Sequence, residues 1–214
     1  MKIIVVGCGK VGRSVTEQLS REDHDITVID LRADRVSILT GNLDVMGIVG
    51  NGASGEVLAE AGIAGTDLLI AVTGSDELNL LCCLIAKKTG GCHTIARIRN
   101  PEYSRQISLF KEDLGLSMII NPEYAAATEI SRILRFPSAM KIDTFAKGRV
   151  EILKFRIREG SSLIHYRVSD ISAKLHCDVL VCAVDRDGET IIPNGNFIME
   201  EQDVVYFIAS PRNA

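Results

Sequence analysis

The sequence has no apolar run approaching the ~20 residues needed to cross a bilayer, and none of its six cysteines forms a C-x-x-C pair. It has no excess of positive charge: the formal net charge is −4, which gives no electrostatic case for nucleic acid or an anionic membrane surface. No short-period repeat and no low-complexity segment interrupts it. Each absence removes a class: membrane-inserted protein, thioredoxin-like dithiol, nucleic-acid binder, solenoid. The four histidines (His24, His93, His165, His176) share no metal-ligand spacing with the cysteines, so no metal is expected. The opening Met1-Lys-Ile-Ile-Val-Val6 is too short for a signal segment and runs straight into a glycine motif. These readings predict a cytoplasmic protein with reduced, mostly buried cysteines, with a redox role for Cys8 as the alternative.

What the chain does have is 46% hydrophobic and 24% charged residues over 214 positions, a length that suits one large domain or one medium domain plus a small one. Its first thirty residues organise the rest. Lys2-Ile-Ile-Val-Val6 reads as a buried strand, and Gly7-Cys-Gly-Lys-Val-Gly12 follows without a spacer. Arg13 to Glu22 reads as a helix and Ile26 to Ile29 as a second strand, with Asp30 at its end, 18 residues after Gly12. Strand, glycine turn, helix, strand and acid together form a dinucleotide-binding pattern. Gly7 makes the turn, Gly9 admits a pyrophosphate, Gly12 packs helix on sheet, and Asp30 accepts from a ribose diol. The helix start offers unpaired N–H groups to phosphate. The acid argues against a 2′-phosphate but does not separate NAD from ADP or ATP.

The alternation continues. Strands are predicted at 45–49, 68–72, 94–98 and 116–120, with helices at 33–39, 55–61 (capped by Ser54), from Asp76 to Lys88, from Pro101 through Ile107, Leu109 and Phe110, and from Pro122 to Leu134. Six strands alternating with helices call for a Rossmann-type, doubly wound parallel sheet, fold class α/β. Phe136-Pro-Ser138 ends that pattern. Beyond it lie a strand at 150–157, whose change of phase suggests a bulge, a helix at 168–175, a strand at 178–184, a hairpin turn at Asp185-Arg-Asp-Gly188, and strands at 190–192 and 204–208. This is a small antiparallel-rich α+β domain. The expected division is 1–121, a connecting helix and linker at 122–139, and 140–214.

In an open α/β sheet ligands bind at the carboxyl ends of the strands. Those ends carry Gly7 to Gly12, Asp30, Gly50-Asn-Gly-Ala53, Thr73-Gly-Ser-Asp76, and Arg97 with Arg99. Thr73 to Asp76 reads either as part of the site or as a helix capping box. Arg97 and Arg99, two apart on a strand, read as a phosphate clamp facing the crevice or as a surface ion-pair set bonded to Glu102 or to Glu112 and Asp113. No Tyr-x-x-x-Lys and no placed His–carboxylate pair accompanies them, so no catalytic residues are assigned.

Taken together, Gly7-Cys-Gly-Lys-Val-Gly12, Val28-Ile-Asp30, Gly50-Asn-Gly-Ala53, Ala71-Val-Thr-Gly-Ser-Asp-Glu-Leu-Asn79, Ile95-Ala-Arg-Ile-Arg-Asn-Pro-Glu-Tyr103 and Asn121-Pro-Glu123 resemble the TrkA family. These RCK/KTN proteins are regulatory subunits of bacterial Trk and Ktr potassium uptake systems. Asp185-Arg-Asp-Gly188, Ile191-Ile-Pro-Asn-Gly195 and Glu201-Gln-Asp203 resemble the family's small C-terminal (TrkA-C) domain.

The resemblance implies NAD(H) and ATP/ADP as ligands, contacted by Gly7, Cys8, Gly9, Lys10, Val11, Gly12, Asp30, Asn51, Gly52, Ala53, Thr73, Gly74, Asp76 and Arg97, with Arg99 assisting at distal phosphates. It implies a homo-oligomer, from dimer to tetramer or octamer ring, joined by the helix near 122–134. It also implies a TrkH/KtrB-like membrane potassium channel or transporter subunit as partner. On this reading the chain gates potassium uptake and is no enzyme; the alternative is a small NAD-dependent oxidoreductase. Asn51 stands where many members carry aspartate, and the chain holds one module where many TrkA subunits hold two in tandem.

Overall fold

The computed structural model describes residues 1–111, 113–146, 149–176 and 178–210, and the side chains within them apart from those of residues 104, 105, 108–110 and 175. The chain forms two compact units, Met1–Ala126 and Ala127–Ala214. In the first, strands β1 (Lys2–Val6), β2 (Asp25–Asp30), β3 (Met46–Val49), β4 (Leu68–Ala71), β5 (His93–Arg97) and β6 (Met118–Ile120) make one parallel sheet in the order β3-β2-β1-β4-β5-β6. The order reverses between β1 and β4, which is where a doubly wound sheet opens a crevice. Helices α1 (Lys10–Leu19), α2 (Ala33–Thr40), α3 (Gly55–Glu60), α4 (Asp76–Gly90) and α5 (Pro101–Phe110) connect the strands.

The near-continuous apolar runs follow from burial on both faces. Ile3 and Val5 pack with Ile26, Val28, Val36 and Leu39 on one side of the sheet, while Ile4 and Val6 pack with Ile29, Leu58 and Leu69 on the other. Each of these fully buried side chains contributes about 1.5–3 kcal/mol. α1 starts at Lys10, three residues before the sequence pattern placed it, so Gly12 lies inside the helix. Ser54 occupies the N-cap position of α3, but its side chain makes no capping hydrogen bond. α5 covers Ile107, Leu109 and Phe110 as expected, and the side chains of the last two lie outside those described.

The sixth helix, α6 (Pro122–Arg135), begins in the first unit and ends in the second, and none of its residues is fully buried. The second unit then contains β7 (Lys141–Phe145), β8 (Val150–Arg156), α7 (Val168–Leu175), β9 (Val179–Arg186), β10 (Glu189–Ile191) and β11 (Val204–Ala209). Its five strands are antiparallel in the order β10-β9-β11-β8-β7. Leu153, Val181, Val205, Phe207, Ile171 and Met199 form its core.

Two expectations are corrected here. β7, with its Lys-Ile-Asp-Thr-Phe composition, did not read as a strand; as an edge strand it exposes Lys141 and relies on pairing with β8. The bulge is not in β8, whose register with β7 and β11 runs unbroken, but in β9, where Tyr206 and Phe207 pair with Ala183 and Val181 and leave Cys182 as the extra residue. β8 therefore keeps one phase, and that phase turns Glu151 inward at 3% exposure. Arg132 and Arg135 of α6 answer its carboxylate. The hairpin between β9 and β10 turns on Asp187 and Gly188, both with positive φ (54° and 83°), as a two-residue type I′ loop requires.

Asp203 is almost fully buried and accepts from Arg186 Nε at 2.7 Å, from Arg186 Nη2 at 2.8 Å and from the backbone N–H of Glu200 at 2.8 Å. The Arg186 guanidinium also lies 4.7 Å from the centre of the Phe197 ring. Removing one partner of a buried pair strands the other's charge. Arg186→Met is expected to destabilise the protein by about 3 kcal/mol, measured by chemical denaturation, with the loss confined to hydrogen-exchange protection in the second unit.

Candidate functional site

A cavity of about 640 Å³ opens at the carboxyl ends of β1, β2, β4 and β5, the size of a cofactor site. Its floor is the glycine turn. Gly7 has φ of 103° and lies so close to the next segment that a Cβ there would sit 2.9 Å from the Thr73 amide nitrogen. A Cβ at Gly12 would sit 1.7 Å from the Gly7 carbonyl oxygen, so α1 can approach the turn only with glycine there. A Cβ at Gly9 meets no protein atom within 4 Å. Protein packing thus accounts for the first and third glycines and leaves the second facing open space in the cavity. Gly9 is the N-cap of α1, which has no side-chain cap and no acidic residue in its first turn. Its N-terminal N–H groups and positive dipole end are free to meet an anion.

Asp30 closes one side. Its Oδ2 accepts from the Cys8 N–H at 2.7 Å and its Oδ1 from the Arg32 N–H at 2.9 Å, and Arg35 approaches to 3.8 Å. Each carboxylate oxygen retains a second lone pair, so the acid is fixed in place and can still accept from hydroxyls. The Cys8 thiol is buried, and burial, reinforced by the Asp30 charge and opposed by Arg35, pushes its pKa up to about 12. It is therefore a neutral thiol near neutral pH, which removes the basis for a thiolate redox role. Among the described residues all five cysteines are free. Cys177, which follows His176 in the sequence, lies outside the described residues.

The opposite side is held by α4. Asn79, fully buried, accepts at Oδ1 from the Thr73 N–H (2.8 Å) and the Thr73 hydroxyl (2.7 Å), and donates from Nδ2 to the Arg97 carbonyl (2.9 Å). Asp76, also buried, accepts from the Arg99 and Asn100 N–H groups at 2.8 Å each. The end of β4 and the end of β5 are thus pinned by two side chains one turn apart on one helix. Ser75 caps α4 by accepting from the Leu78 N–H at 3.1 Å, so the segment 73–76 combines a cap, a brace and a cavity wall, and the reciprocal glutamate of a capping box is absent from the arrangement.

Of the residues expected at the site, Gly7, Gly9, Lys10, Val11, Asp30, Asn51, Gly52, Thr73, Gly74 and Arg97 line the cavity. Cys8, Gly12, Ala53, Asp76 and Arg99 lie behind or beside that wall. Cys8 spends its N–H on Asp30, Gly12 faces Gly7, Ala53 packs on the core, and Asp76 is turned to the β5 loop. β5 ends at Arg97, so Arg99 lies just beyond the strand, and the two guanidiniums reach adjacent carbonyl groups of the loop after β4. Arg97 enters the cavity, bonds the Thr73 carbonyl and pairs with Glu123; Arg99 bonds the Gly74 carbonyl and pairs with Asp76. Neither pairing is the one with Glu102 or Asp113 expected of a surface set, and Glu112 lies outside the described residues. Several contributors were not assigned from the sequence, Leu31, Arg32 and Leu78 of the cavity lining among them. Arg35 and Glu123 line the cavity and Asn79 braces it. An asparagine buried in the apolar stretch of α4 was the one signal for the brace.

Gly9→Ala and Gly12→Ala should therefore separate. The first costs under about 1 kcal/mol as an N-cap change and fills ligand space; the second forces backbone apart and costs at least about 2 kcal/mol. Thermal melts alongside nucleotide titrations check this: Gly9→Ala keeps its melting temperature and loses affinity, whereas Gly12→Ala loses stability.

Comparison with known proteins agrees with this architecture. Residues 3–122 match the TrkA-N domain and residues 152–214 the TrkA-C domain. The chain is similar to the Trk system potassium uptake protein TrkA of Haemophilus influenzae, 36% identical over 214 residues that span 98% of this chain and 47% of that protein. It is 35% identical over 216 residues to the TrkA of Halomonas elongata, covering 100% of this chain and 47% of that protein. The chain spans about half the length of the curated relatives it matches. Among solved structures, the GsuK channel superposes with a TM-score of 0.58 at 16% identity over 99% of this chain and 38% of that one. The TrkA-N domain of the inner membrane protein ybaL of Escherichia coli gives 0.56 at 22% identity over 62% of this chain and 96% of that one. These likenesses show the fold, and the two domain matches with the whole-chain identity to TrkA proteins show that the chain belongs to the TrkA family.

Proposed function

We propose that this chain is a nucleotide-binding regulatory module of a potassium uptake system, taking NAD(H) and ATP/ADP in the cavity above β1 and β4. The observation that carries the reading is the Gly9–Asp30 pair. An uncapped helix N-terminus behind a glycine with open space supplies a phosphate seat, and a carboxylate fixed by two backbone N–H groups supplies a ribose acceptor. The GsuK channel bound to NAD shares the fold, with a TM-score of 0.56, and supports the choice of ligand class. The proposed contacts are the residues named in the sequence reading, with Arg99 and Asp76 shaping the site through the β5 loop.

The rest of the reading follows from family membership. The module acts from the cytoplasmic side on a TrkH/KtrB-like membrane subunit, and it works as an oligomer, with 122–139 as the connecting segment. No helix among the described residues is long and apolar enough to cross a membrane. α6 exposes Tyr124, Ile130, Ile133 and Leu134, an apolar stripe suited to a second copy of the chain. Gating requires that the ligands differ in affinity between two states of that assembly. An NAD-dependent oxidoreductase remains the competing reading, and it forecasts turnover.

Asp30→Asn should weaken NADH and ATP by similar factors, about 1.5–3 kcal/mol for a charged acceptor. Asparagine retains an oxygen for the turn, which makes it a better probe than alanine. Calorimetry with both ligands checks this, and unchanged affinities would remove Asp30 from the site. NADH absorbance in the presence of small carbonyl compounds is expected to stay constant.

The assembly should scatter light as a species heavier than the 23.3 kDa chain, and Ile130→Glu with Ile133→Glu should reduce it toward that mass. A 23.3 kDa species of the unaltered chain at every concentration would refute the oligomer.

A further inference from the structure

We infer that Glu123 sets the ligand preference of this cavity by occupying Arg97 as an internal competitor of a ligand's terminal phosphate, which disfavours a nucleoside triphosphate relative to a dinucleotide. The inference rests on the nucleotide reading above and adds a residue and a direction to it.

Arg97 stands at the end of β5, and the sheet runs β1-β4-β5 at that point. Two strand spacings separate it from the glycine turn, about 10 Å. A pyrophosphate seated on the N-terminus of α1 would bring the next group along the ligand opposite Arg97. In ATP that group is the γ-phosphate. In NAD(H) it is the uncharged ribose of the nicotinamide half. The two ligands therefore present opposite chemistry to one guanidinium.

That guanidinium is already engaged. Its Nη2 donates to Glu123 Oε1 and its Nη1 lies 3.5 Å from the Thr73 carbonyl oxygen, while the buried Nε has no partner. Nε and Nη2 share one edge of the planar fork, and Glu123 fills one tooth of it with one oxygen. A phosphate, with several oxygens, is the acceptor that fills both. The two partners are also unequally fixed. The Arg97 side chain is 12% exposed and its carbonyl is held by Asn79, whereas the Glu123 side chain is 51% exposed. The exchangeable member is Glu123.

Glu123 is nonetheless kept near the site. Pro122 and Glu123 form the first turn of α6, Asn121 Oδ1 accepts from the Tyr124 N–H at 2.9 Å, and Asn121 Nδ2 donates to the Arg99 carbonyl at 3.2 Å. The hydrogen bond from Arg97 holds the Glu123 carboxyl below the usual carboxylate range, so the pair is charged at neutral pH. An arriving γ-phosphate must displace this carboxylate and then lie beside it; a nicotinamide ribose need do neither.

The test is calorimetry of NADH, ADP and ATP at fixed ionic strength without divalent cations, on the unaltered protein, on Glu123→Gln, on Arg97→Ala and on the double variant, with melting curves as fold controls. Glu123→Gln should tighten ATP by about fivefold, the upper range for a half-exposed ion pair, tighten ADP less, and leave NADH within about twofold. Glu123→Asp, shorter and still charged, should fall between and serves if the glutamine variant melts early. In the Arg97→Ala background the gain should vanish. An unchanged ATP-to-NADH affinity ratio in Glu123→Gln would overturn the inference while leaving nucleotide binding intact. A gain that persists without Arg97 would also overturn it, because Glu123 would then act by plain repulsion. If the unaltered protein binds none of the three ligands, the nucleotide reading falls and the inference with it.

Discussion

The contact on which the first unit depends is the approach of α1 to the glycine turn, a backbone-to-backbone distance that only a residue without a side chain at position 12 permits. This closeness aims the start of α1 at the point where the strand order reverses. It also brings the Cys8 N–H within reach of Asp30, so the end of β2 is tied to the turn after β1. One steric constraint thereby sets an uncapped helix N-terminus and a backbone-anchored carboxylate in fixed relation, the two features on which the proposed nucleotide reading rests. The apolar strands behind them supply the stability, and the turn itself contributes geometry.

The far wall is organised differently, by buried polar side chains. Asp76 and Asn79 sit where α4 would otherwise present apolar residues, and burying them is tolerable because their hydrogen bonds go to backbone groups of the β4 and β5 ends. Such a brace is stiff, since loosening either end strands a buried donor or acceptor. It fixes the Arg97 backbone, and the guanidinium of Arg97 is engaged by the Thr73 carbonyl and by Glu123.

The second unit shows the same logic in a smaller core. Glu151 points inward with Leu153 because β8 keeps its register, and its charge is answered by Arg132 and Arg135 from α6. Asp203 is answered by Arg186. In both cases a buried acid is matched by an arginine whose planar fork suits a carboxylate. α6 thus carries Glu123 in its first turn and two arginines in its last turns, each paired within the unit to which it belongs.

The sequence by itself determined the parallel sheet, the glycine turn and Asp30, because these are written in local periodicity and in a spacing of a few residues. The Asp187-Gly188 hairpin was legible for the same reason. Only the tertiary structure decided that Lys141–Phe145 is a strand, since an edge segment of alternating charge gains its conformation from pairing with β8. It alone placed the bulge at Cys182, where two strands must be compared to see the extra residue. It also gave Arg97 and Arg99 their acid partners, Glu123 and Asp76, which lie 26 and 23 positions away in the sequence. Asn79 and Glu123 became site residues through partners 18 and 26 positions away. Propensity acts within a turn or a pleat, whereas the choice of a distant hydrogen-bond partner depends on how helices pack against the sheet.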